Sequence, residues 1–144
     1  VADPLSLDEQ VCFPLYAAMR ALTAAYRPKL DALGLTYPQY LVMLVLWERD
    51  GRSVGELCAA LELDTGTLSP LLKRLQAAGF VERTRSSADE RRVEIHLTEH
   101  GRQLRADACA LPEQLAAATG LTMPELVALR DTLRRMTRAL TQST

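Results

Sequence analysis

Three cysteines and four tyrosines hold the reactive chemistry of this chain. The cysteines are Cys12, Cys58 and Cys109, and the tyrosines, Tyr16, Tyr26, Tyr37 and Tyr40, all fall in the first forty residues. A thiolate attacks peroxides and disulfides. A phenolic hydroxyl can donate a hydrogen bond to it. Cys12 lies in Glu9-Gln10-Val11-Cys12-Phe13-Pro14-Leu15-Tyr16, and each of the four phenols is a candidate donor. The ordinary role of a free cysteine is that of a small buried hydrophobe. Cys58 fits that role, because Val54, Leu57, Cys58 and Leu61 recur at helical core spacing. Cys12 does not have that excuse alone. Ser6-Leu7-Asp8-Glu9 reads as a capping box, which puts Cys12 in the second helical turn within reach of the helix dipole. Cys109 stands just before Leu111-Pro112. It is either inert or a resolving partner that closes a disulfide on oxidised Cys12.

Other chemistries find less support. Three cysteines, an odd number with no secretory pattern, argue against a disulfide framework, so a reducing cytoplasm is the expected setting. His96 and His100 fall in different elements and share no helical face. With no CxxC or HExxH pattern, neither a metal site nor a cofactor is expected. A thiol peroxidase of the thioredoxin type would need a βαβ pattern, which is absent, so the chain is read as a non-enzyme. The longest strongly apolar run, Tyr40 to Trp47, is too short to span a bilayer.

Elements that position these residues follow from periodicity. A first helix runs to about Leu33-Gly34, with bends expected at Pro14 and Pro28. A second starts at Tyr37-Pro38, is apolar all round, and stops near Asp50-Gly51. Ser53-Val54-Gly55-Glu56 opens a third, and Asp64 caps a fourth from Thr65 to Ala78. The period then falls to two in Phe80–Thr84 and Val93–Leu97, with the polar tip 85–92 between them. Two short helices followed by a hairpin is the winged helix-turn-helix order. Thr98 caps a fifth helix, a short helical continuation reaches Thr119-Gly120, and Thr122-Met123-Pro124-Glu125 opens the last. Along that last helix Leu126, Leu129, Leu133, Met136 and Leu140 form a narrow seam suited to a partner helix.

Formal net charge is −1, which by itself does not suggest a polyanion as partner. The local balance does. From Thr65 to Arg92 six basic residues face three acids. Leu68, Leu71, Leu72 and Leu75 make the inner stripe of the fourth helix, leaving Gly66, Ser69, Pro70, Lys73, Arg74 and Ala77 outside. Lys73 and Arg74 suit phosphates, while Thr67 and Ser69 suit base edges or backbone. Thr65, Pro70, Arg83 and Arg85 complete the candidate DNA face. Arg91 at the hairpin tip suits a minor groove, with Asp89 expected to hold its guanidinium.

Several segments together resemble the organic hydroperoxide resistance regulators of the MarR family. They are Gln10-Val11-Cys12-Phe13, Leu15-Tyr16, Tyr26-Arg27-Pro28, Leu35-Thr36-Tyr37-Pro38-Gln39-Tyr40-Leu41, Leu46-Trp47-Glu48, Leu63 to Leu75 and Asp89-Glu90-Arg91. The resemblance runs from about residue 6 to 140. It implies a mainly α fold with a small β-hairpin wing, a MarR-like homodimer. Residues 1–35 and 99–144 would form the helical dimerisation region of a single domain, and 36–98 its winged helix-turn-helix. It implies a repressor that binds a pseudo-palindromic operator when reduced and leaves it when an organic hydroperoxide oxidises Cys12. Tyr26 and Tyr37 would bond that thiol from the other protomer. The Thr65–Gln76 helix would enter the major groove and the 85–92 wing the minor groove. Phe13, Met19 and Trp47 would give the peroxide an apolar surround. The alternative within the family is release by a non-covalent small ligand such as a phenol.

Overall fold

The computed structural model describes residues 3–142. The chain divides into two compact units, Val1–Cys109 and Ala110–Thr144. In the first, a 3-10 turn (Leu7–Glu9) precedes α1 (Cys12–Leu33), α2 (Tyr37–Glu48), β1 (Arg52–Ser53), α3 (Val54–Leu61), α4 (Thr65–Ala77), β2 (Val81–Arg85), β3 (Val93–Leu97) and α5 (Glu99–Ala108).

Side-chain caps set most of these starts. Thr36 and Gln39 form a reciprocal capping box on α2, with Pro38 in the first turn. Ser53 Oγ accepts from the Glu56 N–H, Asp64 from the Thr67 N–H, and Thr98 from the Gly101 N–H. Ser6 departs from expectation. Its side chain makes no cap bond, and it opens the 3-10 turn rather than α1. The long helix begins six residues later, at Cys12 itself. Pro14 therefore sits in the first turn, where no intrahelical N–H bond is lost, so it does not bend the helix. Pro28 is accommodated within α1, which runs on to a left-handed cap at Gly34 (φ 77°). The α2 helix ends at an extended Arg49, and Gly51 (φ 74°) serves the turn into β1.

The hairpin expected from the alternating segments is the larger part of a three-stranded antiparallel sheet in the order β1-β3-β2. Val81 pairs Leu97 and Arg85 pairs Val93, while β1 adds Arg52 opposite Ile95 and Ser53 opposite Glu94. Two residues are too few to show an alternating pattern, which is why β1 has no sequence signal.

The core of this unit lies where α2, α4 and the sheet meet. Val42, Met43, Leu46, Leu57, Leu68, Leu72, Leu75 and Ile95 are almost wholly buried. Each large apolar side chain so buried contributes about 2 kcal/mol, so the inner face of α4 is firmly seated. Two polar ties close the structure around it. The Trp47 indole N–H donates to the Gly101 carbonyl at 2.9 Å, and the Leu97 N–H donates to Asp50 Oδ1 at 2.9 Å.

Gly101 is required by close approach. A Cβ there would stand 2.1 Å from the Phe80 carbonyl oxygen, which is main chain and cannot swing aside. Gly101→Ala should therefore cost about 2–3 kcal/mol. Thermal unfolding should show a Tm lower by roughly 10 °C, and an unchanged Tm would refute the crowding.

The second unit consists of α6 (Leu111–Ala118) and α7 (Met123–Gln142). Thr122 and Glu125 exchange cap bonds at the start of α7, as the sequence pattern implies. No residue of α7 is buried. Leu126, Leu133 and Met136 are half-buried, and Leu129 and Leu140 are exposed.

Candidate functional site

Cys12 is the first residue of α1 and is exposed. That is one turn nearer the helix N-terminus than the capping pattern suggests, and so deeper in the field of its positive end. Val11, Phe13, Leu15, Tyr16 and Met19 are exposed around it. A groove of about 280 Å³ along α1 is lined by Tyr16, Met19, Arg20, Thr23, Ala24 and Arg27.

The four tyrosines separate into three and one. Tyr26 on α1 meets Tyr37 and Tyr40 from the first turn of α2, with ring centroids 5.0 Å and 5.8 Å away. Trp47 extends the cluster, edge-on to Tyr40 at 6.4 Å. That contact and its bond to Gly101 are where Trp47 is engaged, whereas Phe13 and Met19 lie toward the start of α1. Tyr16 stays outside the cluster, exposed, with the Arg20 guanidinium over its ring.

Burial first, then the nearness of the Tyr37 and Tyr40 phenols, push the Tyr26 hydroxyl up to about 12. Burial also raises Tyr37 and, together with Tyr37 itself, Tyr40. All three phenols thus keep their protons at any physiological pH and remain hydrogen-bond donors. None of the three hydroxyls is bonded to another group among the described residues.

Cys12 and Tyr26 lie on the same helix, fourteen residues apart. At the α-helical rise this is roughly 21 Å, well beyond the reach of a tyrosine side chain. A chain therefore cannot bring its own Tyr26 to its own Cys12 while α1 is intact. The other cysteines lie elsewhere. Cys58 is half-buried on α3, its sulfur 3.9 Å from the Thr65 hydroxyl. Cys109 is exposed at the end of α5, its thiol donating to the Ala106 carbonyl at 3.2 Å.

The second candidate surface is the outer face of α4 with the wing. Leu68, Leu71, Leu72 and Leu75 point inward, leaving Thr65, Thr67, Pro70, Lys73 and Arg74 exposed and Ser69 half-exposed. Arg83, Arg85, Asp89 and Arg91 are exposed on the wing. One detail differs from the sequence reading. Asp89 holds Arg91 by its main-chain N–H at 3.0 Å, not by its guanidinium. The carboxylate thereby shapes the tip turn, and the Arg91 side chain has no acid partner among the described residues. Arg85 in turn donates to the Glu90 carbonyl at 2.8 Å.

Sequence reasoning missed Glu56. This α3 carboxylate binds Arg49 at 2.6 Å and also Arg92, at the base of the wing. Arg92 has a second acid partner in Glu94 at 3.3 Å. Desolvation acts to raise the Glu56 carboxyl, but the Arg92 hydrogen bond and charge outweigh it and hold the group below its usual range. His96 stands 3.3 Å from Glu94, and His100 stacks on Phe80.

The family model for the transcriptional regulators SarA and Rot matches residues 24–108, more than half of the chain. The organic hydroperoxide resistance transcriptional regulator of Bacillus subtilis is 41% identical over 97% of this chain and 95% of its own. The chain belongs to the MarR family of winged-helix transcriptional regulators, and within it to the organic hydroperoxide resistance kind. The HTH-type transcriptional regulator TtmR of Methylorubrum extorquens is 53% identical over 93% of this chain and 69% of its own length. Among solved structures, reduced AbfR bound to DNA superimposes with a TM-score of 0.77 at 33% identity, over 94% of this chain and 95% of that one. AbfR is a Staphylococcus epidermidis protein, also solved in overoxidised and disulfide forms. BpsR of Bordetella bronchiseptica, whose DNA binding is regulated by 6-hydroxynicotinic acid, gives 0.84 at 28% identity, over 94% and 98%. This MarR chain is thus a regulator rather than an enzyme. No single helix among its described residues is long and apolar enough to cross a membrane.

Proposed function

We propose that this MarR-family chain is a dimeric repressor that reads organic hydroperoxides through Cys12. The observation that carries this reading is the separation on α1. An exposed thiol starts the helix, and three protonated phenols with free hydroxyls gather about 21 Å away. Each half lacks what the other offers. In a two-fold dimer the thiol of one protomer can meet the phenols of its partner. The exposed apolar residues at the start of α1 and along α7 are the surface such pairing would cover, with 1–35 and 99–144 as the dimerisation region.

The chemistry follows from the groups. The Cys12 thiolate attacks one peroxide oxygen, the O–O bond breaks, and an S–O bond forms. The hydroxyl of the peroxide stays on sulfur as sulfenic acid, and the departing alkoxide takes a proton from solvent and leaves as alcohol. Exposed Phe13 and Met19 favour a bulky apolar peroxide over hydrogen peroxide. The phenols that donated to a thiolate must rearrange around the larger, polar product. If Cys109 attacks the sulfenic sulfur, a disulfide forms and water leaves. That rearrangement alters the spacing of the two α4 helices, which must meet half-sites about one helical turn apart. A cytoplasm that keeps thiols reduced is the setting in which such a sensor resets.

The α4 face and Arg91 carry the DNA-binding reading: Thr65, Thr67, Ser69 and Pro70 face the major groove, with Lys73, Arg74, Arg83 and Arg85 on phosphates. Release by a non-covalent small ligand is the second reading, and BpsR is the observation that favours it. Intact mass decides between them. Protein released from DNA by cumene hydroperoxide should carry one added oxygen, a lost hydrogen pair, or a small-thiol adduct on each released dimer. Release with an unchanged mass would establish the ligand reading instead.

A further inference from the structure

The wing stands apart from the helix beside it. A groove of about 360 Å³, lined by Ser53, Val54, Gly55, Arg83, Arg91 and Arg92 among others, separates the start of α3 from the hairpin. Strand β1 holds β3 only at Ile95 and Glu94, and its pairing stops there. From Glu82 to Arg92 every residue is exposed except half-buried Ser86, so apolar packing does not fix the tip. Beyond the last β1–β3 pair, one polar link among the described residues crosses to α3, the bond from the Arg92 guanidinium to the Glu56 carboxylate. Arg92 is also tied into the tip turn itself. Its N–H donates to the Asp89 carbonyl and its carbonyl accepts from the Ser86 N–H. Arg91, the residue offered to the minor groove, is its immediate neighbour. Glu56 is steadied by Arg49 on its other oxygen, Oε2, and by Ser53, whose hydroxyl lies 3.2 Å from Oε1, the oxygen that Arg92 also takes.

We propose that Glu56 is a positioning residue for DNA binding, a strut that holds Arg92 across the groove and so fixes the angle at which Arg91 meets the minor groove. The inference rests on the DNA-binding reading above. Glu56 is an acid close to a surface meant for a polyanion. Simple charge balance therefore says that removing it tightens DNA binding. A strut says the opposite, because a wing free to swing loses the contact that its arginine makes.

The probe is the tightest duplex selected from a random-sequence pool with wild-type protein. Glu56→Ala and the milder Glu56→Gln are each measured alone and in an Arg91→Ala background, with thermal unfolding alongside. Glu56→Ala should bind about tenfold more weakly than wild type. It should change affinity by less than about twofold once Arg91 is already gone. Glu56→Gln should fall between, since it keeps an acceptor and loses the charge. Equal or tighter binding by Glu56→Ala overturns the proposal, as does an equal loss in both backgrounds. If wild type selects no duplex, the DNA-binding reading fails first, so the two failures are told apart.

Discussion

Cys12→Ser should remain on its operator at cumene hydroperoxide concentrations that strip wild type from it completely. A serine hydroxyl is close in size and keeps a hydrogen-bond donor, so the reduced fold and its DNA affinity should be unchanged. It cannot take up a peroxide oxygen, because only the thiolate is nucleophilic enough near neutral pH. Gel retardation across a peroxide titration measures this. The response of Cys58→Ser and Cys109→Ser separates the remaining thiols. Cys58 lies half-buried against Thr65, and its loss should leave the midpoint of release in place. Cys109→Ser should still be released if sulfenic acid alone drives the change, and should be released less completely if a disulfide is needed. Release of Cys12→Ser at the wild-type midpoint would remove Cys12 from the account.

The second large effect is on DNA affinity itself. Lys73 and Arg74 are exposed on the face of α4 opposite its four buried leucines, and neither has an acid partner among the described residues. Replacing both by Ala removes four cationic contacts from a dimer. The slope of log affinity against log salt should fall by roughly 3–4, from about 0.9 per phosphate. Affinity should drop about a hundredfold or more near physiological salt. The inner stripe of α4 is untouched, so thermal stability should stay within a degree or two of wild type. Fluorescence anisotropy at several salt concentrations reads both quantities. An unchanged slope would mean that this face does not lie along the phosphates.

Much of this architecture is legible in the chain because local signals agree with each other. Ser53, Asp64, Thr98 and Thr122 each cap the helix that their spacing announces. The leucine stripe of α4 is buried as its period requires. The misses have physical causes. Ser6 carries the letters of a capping box, but the chain makes only a 3-10 turn there before α1 begins. Asp89 could equally have served the guanidinium or the amide of Arg91, and the tight tip turn selects the amide. Strand β1 is too short to leave a pattern. The Glu56–Arg92 link joins residues 36 positions apart, where no periodicity connects them. The tyrosines illustrate the boundary best. Their crowding into forty residues is visible in the sequence, but only the fold shows three of them gathered and Tyr16 left out.

The reading depends most on the sensor being assembled from two chains. Mixed dimers test it. One chain carries Cys12→Ser with its tyrosines intact, and the other keeps Cys12 but carries Tyr26→Phe and Tyr37→Phe. Differently tagged chains allow the mixed species to be purified, and trapping of the sulfenic acid gives the oxidation rate of its single Cys12. In the homodimer with both tyrosines replaced, oxidation should be slower by roughly tenfold or more, since hydrogen bonds to a charged group are lost. The mixed dimer should oxidise at the wild-type rate, because its one thiol faces the intact phenols of the partner chain. A mixed dimer as slow as the double-Phe homodimer, or a double-Phe homodimer as fast as wild type, would contradict a sensor shared between protomers.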